Sequence, residues 1–128
     1  MTRSLRLAVA WALLIAFLCL TPGEELPQWE WADLLRVDKL VHALMFGVLT
    51  FLLASGFRSR PGNPWPDTKV LVVAGVLSFG YGGLMELLQG IPGLNRQGDL
   101  VDLTANSVGA LLGAFLIHRV WERRHATE

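Results

Sequence analysis

Charge is scarce in this chain. Only 17% of its 128 residues are Asp, Glu, Lys or Arg, against roughly a quarter in an ordinary soluble domain. Neither sign is in excess, because eleven basic side chains are matched by eleven acidic ones. That balance excludes a basic nucleic-acid module and leaves no net field to attract a partner. The one cysteine, Cys19, cannot build an intrachain disulfide framework. The sequence also lacks internal repeats and low-complexity tracts. At this length a second core has no room, so residues 1–128 read as a single domain. What the chain does have is apolar mass: 52% hydrophobic residues, with 13 glycines besides, and a mean hydropathy of +0.43. This composition excludes a disordered chain, does not fit a soluble enzyme, and points to the membrane.

Four stretches are long and apolar enough to cross a bilayer, at residues 5–22, 40–57, 69–89 and 100–118. A spanning helix needs about 20 residues for a hydrocarbon core of about 30 Å. The expected fold is therefore all-α, an integral membrane four-helix bundle. A cleaved signal peptide is the alternative for the first stretch, since Arg3 and Arg6 precede its apolar run. No small-residue cleavage signal occurs between Phe17 and Pro22, so an uncleaved first helix is the better reading.

The arrangement of basic residues sets the direction. Arg3, Arg6, Arg58, Arg60, Lys69, Arg119, Arg123 and Arg124 fall on one side of the spans, and Arg36, Lys39 and Arg96 on the other. By the positive-inside tendency both termini and the 58–67 loop are cytoplasmic. Segment 21–39 and loop 90–99 are then external. Within the first external segment, Trp29, Trp31, Leu34 and Leu35 suggest a short interfacial helix between spans one and two. Trp65 and Trp121 read as interfacial anchors on the cytoplasmic side, and His118 and His125 as headgroup contacts there.

The polar residues gather at the external ends of spans two, three and four. Asp38 and His42 are four apart and share a helix face; Gly82, Glu86 and Gln89 do the same at the end of span three. Asp99, Asp102, Asn106, Gly109 and Gly113 follow +3, +4, +3, +4 spacing, one narrow stripe. Spans two and four run inward from outside while span three runs outward, so all these groups arrive at one depth. An ionised residue at mid-membrane costs about 2.5–3.5 kcal/mol on insertion scales, less near the boundary. Glu86 and His42 should therefore face the bundle interior. The small residues Ala105, Gly109 and Gly113 suit close helix approach, and Gly75, Gly80, Gly82 and Gly83 offer span three as the matching surface.

The pattern Asp38-Lys39-x-x-His42, then Glu86-x-x-Gln89, then Arg96-x-x-Asp99-x-x-Asp102-x-x-x-Asn106-x-x-Gly109 resembles the VanZ-like family of small bacterial membrane proteins. The resemblance covers about residues 36–117 and implies a multi-pass protein of the bacterial cell (inner) membrane.

Three readings of the layer follow. In the first it is an external pocket for a lipid or lipid-linked cell-wall precursor. His42, Glu86 and Asp102 are then candidate acid/base groups, and Asp38, Lys39, Gln89, Arg96, Asp99 and Asn106 candidate binding groups. Four carboxylates against Lys39 and Arg96 leave a charge of −2 with His42 neutral, which repels a bare phosphate. A bridging divalent cation, or one or more protonated carboxylates, would relieve that repulsion; the sequence has no local metal motif such as H-E-x-x-H, and no other cofactor is expected. In the second reading the protein is a membrane structural or assembly subunit, with a membrane protein as partner, and the network fixes helix packing. In the third it is a channel, which the apolar run Ala43 to Leu49 below His42 disfavours. Partners are thus the bilayer, a lipid-linked precursor or another membrane protein, and not nucleic acid.

Overall fold

The computed structural model describes residues 1–21, 37–93 and 100–127. It contains helices α1 (Arg3–Leu20), α2 (Val37–Arg58), α3 (Asp67–Gln89) and α4 (Leu100–His125), with no strand among the described residues. Each is long and apolar enough to cross a membrane. At 1.5 Å per residue they are roughly 27–39 Å long. The expected interfacial helix, with Trp29, Trp31, Leu34 and Leu35, lies outside the described residues.

Local chemistry sets the ends. Thr2 caps α1, its hydroxyl accepting from Leu5 N at 3.3 Å. Thr21 closes α1 in extended conformation, as a residue preceding a proline favours. Pro66 is extended ahead of α3, and Arg58 joins Asp67 through two bonds of 2.9 and 3.2 Å across the short connector. α4 continues past the expected end at residue 118 because Glu122 draws both Arg119 (3.2 Å) and His118 (3.4 Å) along its charged tail.

α2 is the centre of the bundle and packs on all three other helices; α1 and α4 each rest on α2 and α3 but not on one another. α1 is fastened by side chains reaching backbone carbonyls. Trp11 Nε1 donates to Met45 O at 2.9 Å, Tyr81 OH to Ala12 O at 2.5 Å, and Gln89 Nε2 to Cys19 O at 2.9 Å. Carbonyls within a bilayer find no water to compete for them, so such bonds suit this setting. Ile15, Cys19, Phe46, Leu49 and Met85 form one core cluster, and Ala54, Val70, Ala74, Ile117 and Trp121 another. Between them Thr50 and Ser78, both fully buried, join α2 to α3 by a 2.8 Å hydroxyl bond.

Two expectations need correction. Trp121 is not an interfacial anchor: it is buried, and the Arg58 guanidinium lies 4.4 Å above its ring, because the indole fills the gap where α4 leaves the core. The stripe of Gly109 and Gly113 packs mainly against α2, not α3. A Cβ on Gly109 would overlap the Ala43 carbonyl, and one on Gly113 the Gly47 carbonyl. α3 does touch α4, but Gly75, Gly80 and Gly83 have nothing within 4 Å of a built Cβ. The α2–α4 seam is tight where Gly109 and Gly113 meet the backbone of α2, and the α3–α4 seam is loose.

Candidate functional site

The layer forms where the first turns of α2 and α4 meet the last turns of α3. Lys39 enters from α2, where its ammonium contacts the Asp102 carboxylate of α4 and stands 3.1 Å from its neighbour Asp38. Asp38 itself is largely exposed. Asp102 lies in the first turn of α4, where the helix dipole favours a negative charge. One turn deeper, His42 Nδ1 lies 3.0 Å from Asn106 Oδ1. An amide oxygen only accepts, so Nδ1 carries the proton and the lone pair is left on Nε2.

α3 contributes Glu86. One ligand-capable atom from each of His42, Glu86 and Asp102 falls within 4.8 Å of the others, and all three residues are half-buried. Three helices thus deliver an imidazole and two carboxylates to one point. Gly82, one turn inward of Glu86, makes room for Asn106: a Cβ there would come within 3.2 Å of Nδ2. Asn106 is 1% exposed, and its Nδ2 has no hydrogen-bond partner among the described residues. Leaving such a donor unsatisfied costs about 1–3 kcal/mol.

Of the remaining expected residues, Gln89 is at the right depth but turns to α1, bonding Cys19 O. It therefore stands apart from the cluster as a packing residue. Arg96 and Asp99 lie outside the described residues. The hydrogen-bond partner that the structure gives His42 is Asn106, across the close α2–α4 seam.

Beside the cluster the loose seam opens into a groove, which the sequence reading did not anticipate. A hollow of about 590 Å³ is lined by Gly80, Gly83, Leu84, Glu86 and Leu87 of α3 with Leu100 and Leu103 of α4. A second, of about 470 Å³, continues along the same seam past Gly75, Phe79, Ser107 and Ala110. The bare glycines at 75, 80 and 83 were the available signal, read as a packing surface when they are a groove wall. From Leu71 to Leu87 the seam runs for roughly 24 Å. Glu86 belongs to both places, at the centre of the polar layer and in the wall of an apolar furrow.

A family model described as VanZ/LLP1 matches residues 4–121. No curated protein and no solved structure matches the chain.

Proposed function

The chain belongs to the VanZ/LLP1 family and is a membrane protein with four span-like helices; on that premise we propose that it binds a lipid or lipid-linked cell-wall precursor. The headgroup occupies the polar layer and the hydrocarbon chain lies in the α3–α4 groove. The layer faces outward from a bacterial inner membrane, with both termini cytoplasmic, as the distribution of Lys and Arg favours. His42 and Glu86 stand where a proton would be exchanged with a bound headgroup, and Lys39 supplies a cation at its edge.

The observation that carries the reading is the double membership of Glu86. An amphipathic ligand needs a polar site continuous with an apolar one, and the side chain that lines the hollow of about 590 Å³ also stands within 4.8 Å of His42 and Asp102. The hollow between α2 and α4, of about 380 Å³, is lined by apolar residues and glycine only. It lacks that continuity.

A second reading, a structural subunit whose polar layer sets helix register, draws on the Lys39–Asp102 and His42–Asn106 contacts across the α2–α4 seam. The two separate at Gly83. Among the described residues a Cβ there meets nothing within 4 Å, so Gly83→Leu projects into the groove. The experiment is retention of phosphatidylglycerol by the purified protein after incubation with vesicles of that lipid and re-isolation in detergent. Wild type and a Leu13→Phe control on the exposed face of α1 should retain it, and Gly83→Leu should lose most of it. Equal retention by Gly83→Leu would remove the lipid reading and leave the structural one.

A further inference from the structure

We infer that His42, Glu86 and Asp102 form a divalent-cation site, one ligand from each of α2, α3 and α4. The inference deepens the lipid-binding reading, because the ion supplies the positive charge that a phosphate headgroup needs in this layer. Three ligand atoms spread evenly around one ion, each about 2.0–2.3 Å away, stand at most about 3.5–4.0 Å apart. The three atoms here lie within 4.8 Å of one another, so side-chain adjustments of about 0.5–0.8 Å bring them to bonding distance. One imidazole with two carboxylates suits Mn²⁺ or Zn²⁺ better than an all-oxygen Ca²⁺ cage.

Two features around the trio fit an ion. The Asn106 carbonyl holds the proton of His42 on Nδ1, which leaves the neutral ring with a lone pair to donate, the usual outer-shell arrangement for a ligating histidine. The other end of the same amide, Asn106 Nδ2, is a buried donor with nothing to donate to among the described residues. It lies over Gly82, a turn from Glu86. An oxygen carried by the ion, from water or from a phosphate, would satisfy it. Three protein ligands leave coordination positions open for such an oxygen. Lys39 engages Asp102 through one carboxylate oxygen, Oδ1, and a carboxylate has a second to offer.

The test uses Mn²⁺ alone, added to the full chain in detergent after EDTA treatment, with the loss of the free-ion electron paramagnetic resonance signal as readout. The expected result is one saturable Mn²⁺ per chain. Binding should weaken by about tenfold or more in His42→Ala, Glu86→Gln and Asp102→Asn, and stay unchanged in Glu122→Gln, whose carboxylate pairs with Arg119 at the far end of α4. Each variant's elution as a single folded species in gel filtration is checked first, and any one that remains folded suffices. No saturable binding by wild type, or equal weakening in Glu122→Gln, would overturn the site. Phosphatidylglycerol retention with and without Mn²⁺ separates the two proposals. Lipid held equally well after EDTA by a protein that binds no Mn²⁺ removes the cation and keeps the lipid. Mn²⁺ bound by a protein that retains no lipid does the reverse.

Discussion

Nδ1 of His42 and Oδ1 of Asn106, 3.0 Å apart, join α2 to α4 at the depth where Glu86 enters from α3. This contact and Glu86 should behave differently when removed. His42→Ala leaves both polar ends of the 1%-exposed Asn106 without a partner. It should lower the melting temperature in lipid-like detergent by a few degrees, corresponding to about 1–2 kcal/mol. His42→Ala with Asn106→Leu should lose less than the two single changes added together, the mark of a direct contact. Glu86→Gln keeps the shape of the side chain and its reach for hydrogen bonds, so it should lower the melting temperature less than His42→Ala does. An equal drop in Glu86→Gln would favour the structural reading of the layer.

The glycines divide into two classes that a sequence cannot separate. Gly109→Ala would drive a methyl group into the Ala43 carbonyl and Gly113→Ala into that of Gly47. Backbone meets backbone there, so neither side can rotate away. Each should cost at least the 1–3 kcal/mol typical of overpacking, seen as a lower melting temperature or loss of folded protein. Gly80→Ala and Gly83→Ala meet open space and should be neutral or slightly stabilising, since alanine is the better helix former. Equal effects in both pairs would mean that the α2–α4 seam is not the close one.

The spans were legible because hydropathy and length are local properties of the chain. Their common polar depth was legible too, since alternating direction places Asp38, His42, Glu86 and Asp102 at one end without any knowledge of packing. What sequence could not give was the pairing of helices. Gly109 and Gly113 announce a close neighbour but not which one, and α2, with Ala43 and Gly47, offered a small surface no more conspicuous than the glycines of α3. From that choice the rest follows. Asn106 meets His42, Gln89 is left to reach Cys19 on α1, and Gly80 and Gly83 become a groove wall.

Gln89 supplies a test of that division of roles. Its amide is buried and spent on the Cys19 carbonyl, so Gln89→Leu should cost about 1 kcal/mol by loosening α1 from α3. Mn²⁺ binding and lipid retention should be unchanged. A loss of either at full stability would return Gln89 to the binding set.

Orientation is the remaining consequence, and the functional reading depends on it. The polar layer sits at the α3–α4 junction end of the bundle, and Arg58, Arg60, Arg119, Arg123 and Arg124 at the other. The positive-inside tendency favours a cytoplasmic position for that second end, and reporter fusions test it. Alkaline phosphatase folds to activity only outside the inner membrane, where its disulfides form. Fused after residue 94 it should be active, and fused at residue 62, in the α2–α3 connector, silent. The reverse pattern would put Glu86 and the groove mouth on the cytoplasmic face. The ligand would then have to be an inner-leaflet lipid, and a precursor displayed outside would be excluded.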